Sequence, residues 1–138
     1  MFHLHDKLKY FLYPAPVDMR KSFYTLSGIV TSLMKRDVQS GEVFIFVNRR
    51  LTTMKILHLE HGGLVIYHKK LASGVFKLPA FDESLTSHAI SWHDLMMIVK
   101  NVKPKKRLLE KTTKRSIFSR FLGKINWLKD LILLSLSS

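Results

Sequence analysis

Apolar positions along this chain fall into two kinds of pattern. From Asp18 to about Met34 they recur at helical spacing, with Met19, Phe23, Leu26, Ile29, Val30, Leu33 and Met34 in register. That spacing predicts an amphipathic helix, with Asp18 as its N-cap. From Val43 to Val47 every position is apolar, which predicts a strand covered on both faces. Met54 to Glu60 and Leu64 to His68 predict two further strands, joined through His61-Gly62-Gly63, where the glycines suit a tight hairpin turn. The aromatic run Leu8 to Tyr13 stops at Pro14 and reads as another strand, and Gly74 to Pro79 as a further short one. Ser91 and Asp94 have capping-box spacing and open a helix through Val102, with Trp92, Leu95, Met96 and Val99 on one face. Phe118, Phe121, Leu122, Ile125, Leu128 and Ile132 also sit at helical spacing, among cations, and predict a basic amphipathic helix.

These elements add up to an α+β fold: a small, mainly antiparallel sheet of about four to five strands packed with two helices, plus the C-terminal basic helix. The 138 residues divide into a domain over 1–103 and a basic extension over 104–138. Charge changes the picture more than length does. Twenty-three Lys and Arg against ten Asp and Glu leave +13, of which nine cations and two acids, a net +7, lie from Pro104 onward. The first 103 residues carry fourteen cations and eight acids, a net +6. An imbalance of that sign favours nucleic acid or an anionic membrane surface as a partner. No cysteine is present, which excludes disulfides, thiolate metal sites and a cysteine nucleophile. Asp6, Lys7 and Lys9 interrupt the apolar residues of the N-terminus, so a signal peptide is not expected. No run approaches the ~20 apolar residues of a membrane span.

Motifs for catalysis are missing: the chain has no Walker-type phosphate loop, no GxSxG and no HExxH. Its acids are scattered, and the convergent carboxylates of a two-metal nuclease are not available. His3-x-His5 and His58-x-x-His61 each offer two imidazoles, short of the four ligands of a closed zinc site. No cofactor is expected. The cations carry more information. Arg49-Arg50 falls at a hairpin tip, where a ribbon can present side chains to a groove or to phosphates. Arg20-Lys21 is placed in the first turn of the first helix, where the macrodipole is already positive and an anion would be welcome. Lys55, Lys69 and Lys70 complete the set on the sheet. The competing expectation is that paired cations at bends are ordinary solvated surface. Phe44, Phe46, Tyr67 and Phe76 could stack on bases, but their place inside apolar strands assigns them to the core.

The stretches DMRKSFYTLSGIV (Asp18 to Val30), SGEVFIFVNRRLTTMKILHLEHGGLVIYHKKLASGVFKLP (Ser40 to Pro79) and ISWHDLMMIV (Ile90 to Val99) resemble the TnpB accessory proteins encoded by the second open reading frame of insertion sequence 66 family transposons. These are unrelated to the RNA-guided nucleases that share the label. The resemblance runs from Met1 to about Lys103. It implies a non-enzymatic role in transposition in a bacterial cytoplasm, beside a DDE-type transposase, with transposon DNA or that transposase as the partner. It adds weight to Arg20, Lys21, Arg49 and Arg50, which lie inside the matching motifs. Members of that family end soon after the stretch corresponding to Lys103 to Arg107, whereas this chain continues for about thirty residues. The addition is either a lineage-specific helix or read-through of a decaying element.

The expectation to test is therefore a DNA-binding accessory protein that meets phosphates through Arg20, Lys21, Arg49, Arg50, Lys55, Lys69 and Lys70. The alternative is an adaptor that docks onto the transposase without contacting DNA. That alternative would need an exposed apolar patch beside the cations, for which Trp92, Met96 and Met97 are the candidates. Lipid binding by the C-terminal amphipathic helix has no support elsewhere in the chain.

Overall fold

The computed structural model describes residues 3–80, 82 and 84–101. The helix expected beyond Pro104, and the proposed boundary at Lys103, lie outside the described residues.

Five strands form one sheet: β1 (Tyr10–Leu12), β2 (Val43–Val47), β3 (Thr53–Glu60), β4 (Gly63–Lys70) and β5 (His88–Ile90), in the order β4-β3-β2-β1-β5. Among the described residues two α-helices, α1 (Phe23–Ser32) and α2 (Trp92–Val99), flank it. All neighbours pair antiparallel except β1 and β2, which run parallel with Tyr10 opposite Val43. Parallel neighbours need a crossover, and α1 supplies it.

β2 explains why the sheet lies between two layers. Its five residues are all buried, and they alternate between two cores. Val43, Ile45 and Val47 join Tyr10, Leu12, Met54, Ile56 and Ile90 beneath Leu95 and Ile98 of α2. Phe44 and Phe46 join Phe11 and Leu57 beneath Leu26 and Val30 of α1. Phe44, Phe46 and Phe76 are thus core residues, as their sequence setting predicts.

The hairpin between β3 and β4 turns on His61 (φ 47°) and Gly62 (φ 80°), so both central residues are left-handed, the conformation that matches strand twist in a two-residue loop. Two expectations need correction. Gly74 to Pro79 is not a strand: Phe76 N donates to the Leu51 carbonyl (2.7 Å) and its ring plugs the α2-side core, without a ladder on either side. The fifth strand is instead His88–Ile90, three residues whose one buried apolar side chain, Ile90, gave no periodic signal. α2 starts where predicted, with Ser91 Oγ accepting from Asp94 N (3.0 Å), but it ends at Val99. Asn101 follows in the left-handed region (φ 54°) and closes it.

Candidate nucleic-acid interface

The cations gather through three local structures. The first is the β2–β3 turn. Leu51 N donates to the Asn48 carbonyl (3.0 Å), which makes Arg49 and Arg50 the two central residues of a β-turn. The Asn48 side chain fixes the loop: Oδ1 accepts from Thr52 N (2.8 Å) and Thr53 N (3.0 Å), and Nδ2 donates to Thr52 Oγ1 (3.0 Å). Both arginines are exposed at this tip.

The second is the approach to α1. Tyr13 N and Val17 N donate to the Ile45 and Val47 carbonyls (2.9 Å each), so the chain leaving β1 keeps to the edge of β2 as far as the turn end of the sheet. There Asp18 turns it. Asp18 Oδ1 accepts from Arg20 N (2.9 Å), and the Asp18 carbonyl accepts from Lys21 N (3.0 Å). The helix therefore begins four residues later than expected, at Phe23, after an N-cap Ser22 that makes no side-chain cap bond. Arg20-Lys21 precedes the helix and is not in its first turn. Arg20 also folds back on Asp18, with Nη2 2.6 Å from Oδ2. That hydrogen-bonded guanidinium holds the Asp18 carboxyl down at about 2, and the carboxylate raises the Arg20 pKa in return.

The third is Lys55. It was expected among the displayed cations, but it is buried, and its Nζ donates to the Lys21 carbonyl (2.6 Å). This bond seats the Arg20-Lys21 segment over the α1 face of β3. Lys55 lies opposite Phe46 and His68, and Thr53, on the same face, lies opposite Lys70. Lys70 therefore emerges on the α1 face one two-residue step, about 7 Å, nearer the Arg49-Arg50 turn. Lys69 points to the other face and donates through Nζ to the Val99 carbonyl at the end of α2 (2.7 Å). So Arg20, Lys21, Arg49, Arg50 and Lys70 share one end of the sheet. Lys55 and Lys69 brace that end from beneath and behind.

Two functional candidates were not legible in the pattern. Phe23 was assigned to the buried stripe of α1 but is 45% exposed, and Tyr24 beside it is 93% exposed. Both follow directly on the segment whose Lys21 carbonyl is held by Lys55. Of the expected apolar patch, Trp92 and Met96 instead pack partly buried against the α2-side core, and Met97 is half-buried.

The two histidine pairs meet through one ring of each, His3 and His61, without a third ligand beside them among the described residues. His58 is buried, with Nε2 3.1 Å from the Gly41 carbonyl and Nδ1 3.2 Å from Glu60 Oε1, which also accepts from the Tyr67 hydroxyl (2.6 Å). Burial alone would raise the Glu60 carboxyl, but the Tyr67 and His58 bonds bring it below its usual range. His61 is exposed at the turn, its ring 4.7 Å from that of His3. Among the described residues no three His, Asp or Glu side chains stand together to hold a metal ion, and no helix is long and apolar enough to cross a membrane.

What fold and site define is a small α+β domain that braces a basic, aromatic-flanked end of a sheet. The chain belongs to the family of IS66 Orf2-like proteins, whose model matches residues 8–108. It is also 30% identical over 64 residues to the uncharacterized protein y4jC of Sinorhizobium fredii, a stretch that covers 46% of this chain and 55%, about half, of that relative. No solved structure matches it. Membership implies an accessory protein of insertion-sequence transposition, in a family that is generally non-catalytic.

Proposed function

We propose that the protein is a non-enzymatic, DNA-binding accessory factor that acts in a bacterial cytoplasm on the ends of its own transposon, beside a DDE-type transposase. The observation that carries this reading is the convergence of the Arg49-Arg50 turn, the Arg20-Lys21 segment and Lys70 at one end of the sheet, each on braced backbone. Cations on rigid backbone can meet successive phosphates without first being ordered, and a bidentate arginine at the turn can read guanine. Lys55 and Lys69 hold this surface in place through their carbonyl bonds.

The test is binding of the full chain to a labelled transposon-end duplex and to a scrambled duplex across a salt series. With about five phosphates neutralised, log K falls with log salt at a slope of about −4 to −5. Arg49→Ala/Arg50→Ala and Lys21→Ala/Lys70→Ala each flatten that slope by up to about two. Absence of binding at low salt, where electrostatics are strongest, overturns the reading. One observation favours a second reading, an adaptor docked on the transposase. Phe23 and Tyr24 are exposed apolar surface beside cations, which a protein partner can also use. Capture of the transposase by the chain without DNA, lost in Phe23→Ser/Tyr24→Ser, is the result that reading expects.

A further inference from the structure

We infer that Phe23 and Tyr24 form a stacking platform for unpaired bases, so that the DNA this surface takes is single-stranded or locally opened. The inference rests on the DNA reading above and specifies the form of the DNA. Its starting point is a misfit between pattern and structure. By helical spacing Phe23 belongs to the stripe of Leu26 and Val30, both fully buried, yet it stands 45% exposed, and Tyr24 next to it is 93% exposed. A single exposed aromatic needs no explanation. Two adjacent aromatics at the first turn of a helix, directly after two cations on a segment tied down by a buried ammonium, are a different arrangement.

The surroundings separate a base from a protein partner. A protein-docking patch gains its affinity from contiguous apolar area, but the neighbours of this pair in the chain, Ser22 and Thr25, are polar and exposed, and Arg20 and Lys21 are charged. Single-stranded DNA offers a partner to both kinds of group, a flat apolar face on every base for the aromatics and phosphates for the cations beside them. Stacking needs only that face, so it tolerates any sequence, while the cations follow the backbone. In a duplex the base faces are covered by their neighbours, and the two rings would gain little. Rigidity contributes as well: the Lys55 bond to the Lys21 carbonyl and the Asp18 turn fix the backbone that leads into Phe23, so little conformational freedom is lost on binding.

The experiment measures anisotropy of the full chain with three labelled probes of equal length: an oligo-dT strand, the same backbone made of abasic sites, and a duplex. The variants are Tyr24→Ala, Phe23→Ala/Tyr24→Ala and Tyr24→Phe, each checked for its fold by circular dichroism. Tyr24→Ala removes a side chain that touches little of the protein, so its result does not depend on whether the double variant folds. The expected result is a loss of roughly tenfold or more on oligo-dT for Tyr24→Ala, and more for the double variant. The abasic strand and the duplex should stay within about twofold, and Tyr24→Phe, which keeps the ring, should match wild type. Equal losses on the oligo-dT and abasic strands, or no loss at all, overturn the platform while leaving the DNA reading standing. Failure of the wild-type chain to bind any of the three probes at low salt overturns both. Transposase capture that depends on Tyr24, with oligo-dT affinity unchanged, assigns the pair to a protein partner and overturns the platform.

Discussion

Asp18 shows how one side chain can serve fold and ligand in opposite senses. Its carboxylate accepts from the Arg20 backbone and shapes the turn into α1, and the same group covers the Arg20 guanidinium that a phosphate would want. Asp18→Asn keeps an acceptor for the Arg20 N–H and removes the charge. We expect DNA affinity to rise a few-fold and the salt slope to steepen by up to about one, with the melting temperature little changed; a salt titration of the variant checks this. The folded-state carboxyl lies below its unfolded value, so the pairing is complete above the usual carboxylate range and is lost only as pH falls toward about 2. Asp18 therefore adds no pH dependence to binding between about pH 5 and 8. Glu60 offers the matching test of stability. It is nearly buried, with the Tyr67 hydroxyl and His58 as partners, and it too is lowered. Glu60→Gln should cost about 2–3 kcal/mol near pH 7 by denaturant unfolding, because it disturbs a buried network and leaves its partners mismatched. The gap to wild type should narrow as pH falls below the ordinary glutamate range, where the wild-type carboxylate also loses its charge.

At the scale of the element, α1 is the informative case. Its stripe was legible in part: Leu26, Val30 and Met34 are buried as predicted, whereas Phe23 and Leu33, also expected there, are exposed. Its start was not. Asp18 is a good N-cap by type, but the same short acceptor makes an Asx-turn equally well, and only the tertiary bond from Lys55 to the Lys21 carbonyl shows which was chosen. The helix consequently begins at Phe23, after an N-cap Ser22 without a side-chain cap bond and with no acid in its first turn, an arrangement that leaves its positive end open. Ser22→Asp separates the two uses of that end. It should stabilise the protein by about 0.5–1 kcal/mol in thermal or urea unfolding, because a carboxylate there caps free N–H groups and suits the dipole. It should weaken DNA binding severalfold, because the same charge faces phosphate. A variant gaining both stability and affinity would mean that DNA does not approach this end of α1. The strands follow the same division. β2 could be read directly, because burial on both faces leaves an unbroken apolar run. β5 could not, because three residues paired at an edge carry too little pattern.

For the whole molecule, the sheet sorts charges that the sequence lists side by side. Parallel pairing of β1 with β2 sends α1 across one face, and the antiparallel return through β5 sets α2 on the other. Neither pairing follows from local pattern, since register and strand order are properties of the assembled sheet. Yet they decide which cations can act together. Lys69 and Lys70 are neighbours in the chain, but strand alternation puts them on opposite faces. Lys70 emerges at the Arg49-Arg50 end on the α1 side, whereas Lys69 reaches the Val99 carbonyl, one of the unpaired acceptors that every helix C-terminus leaves. Lys70→Ala should lower affinity for any DNA about equally and reduce the salt slope by about one, without a change in stability. Lys69→Ala should leave the slope as it is and cost up to about 1 kcal/mol of stability, since α2 loses a charged donor at its C-terminal carbonyls. Paired salt titrations and urea melts of the two variants check both halves. If the two lysines prove interchangeable in the salt slope, DNA contacts both faces of β4, and the basic end of the sheet is not the surface that selects the ligand.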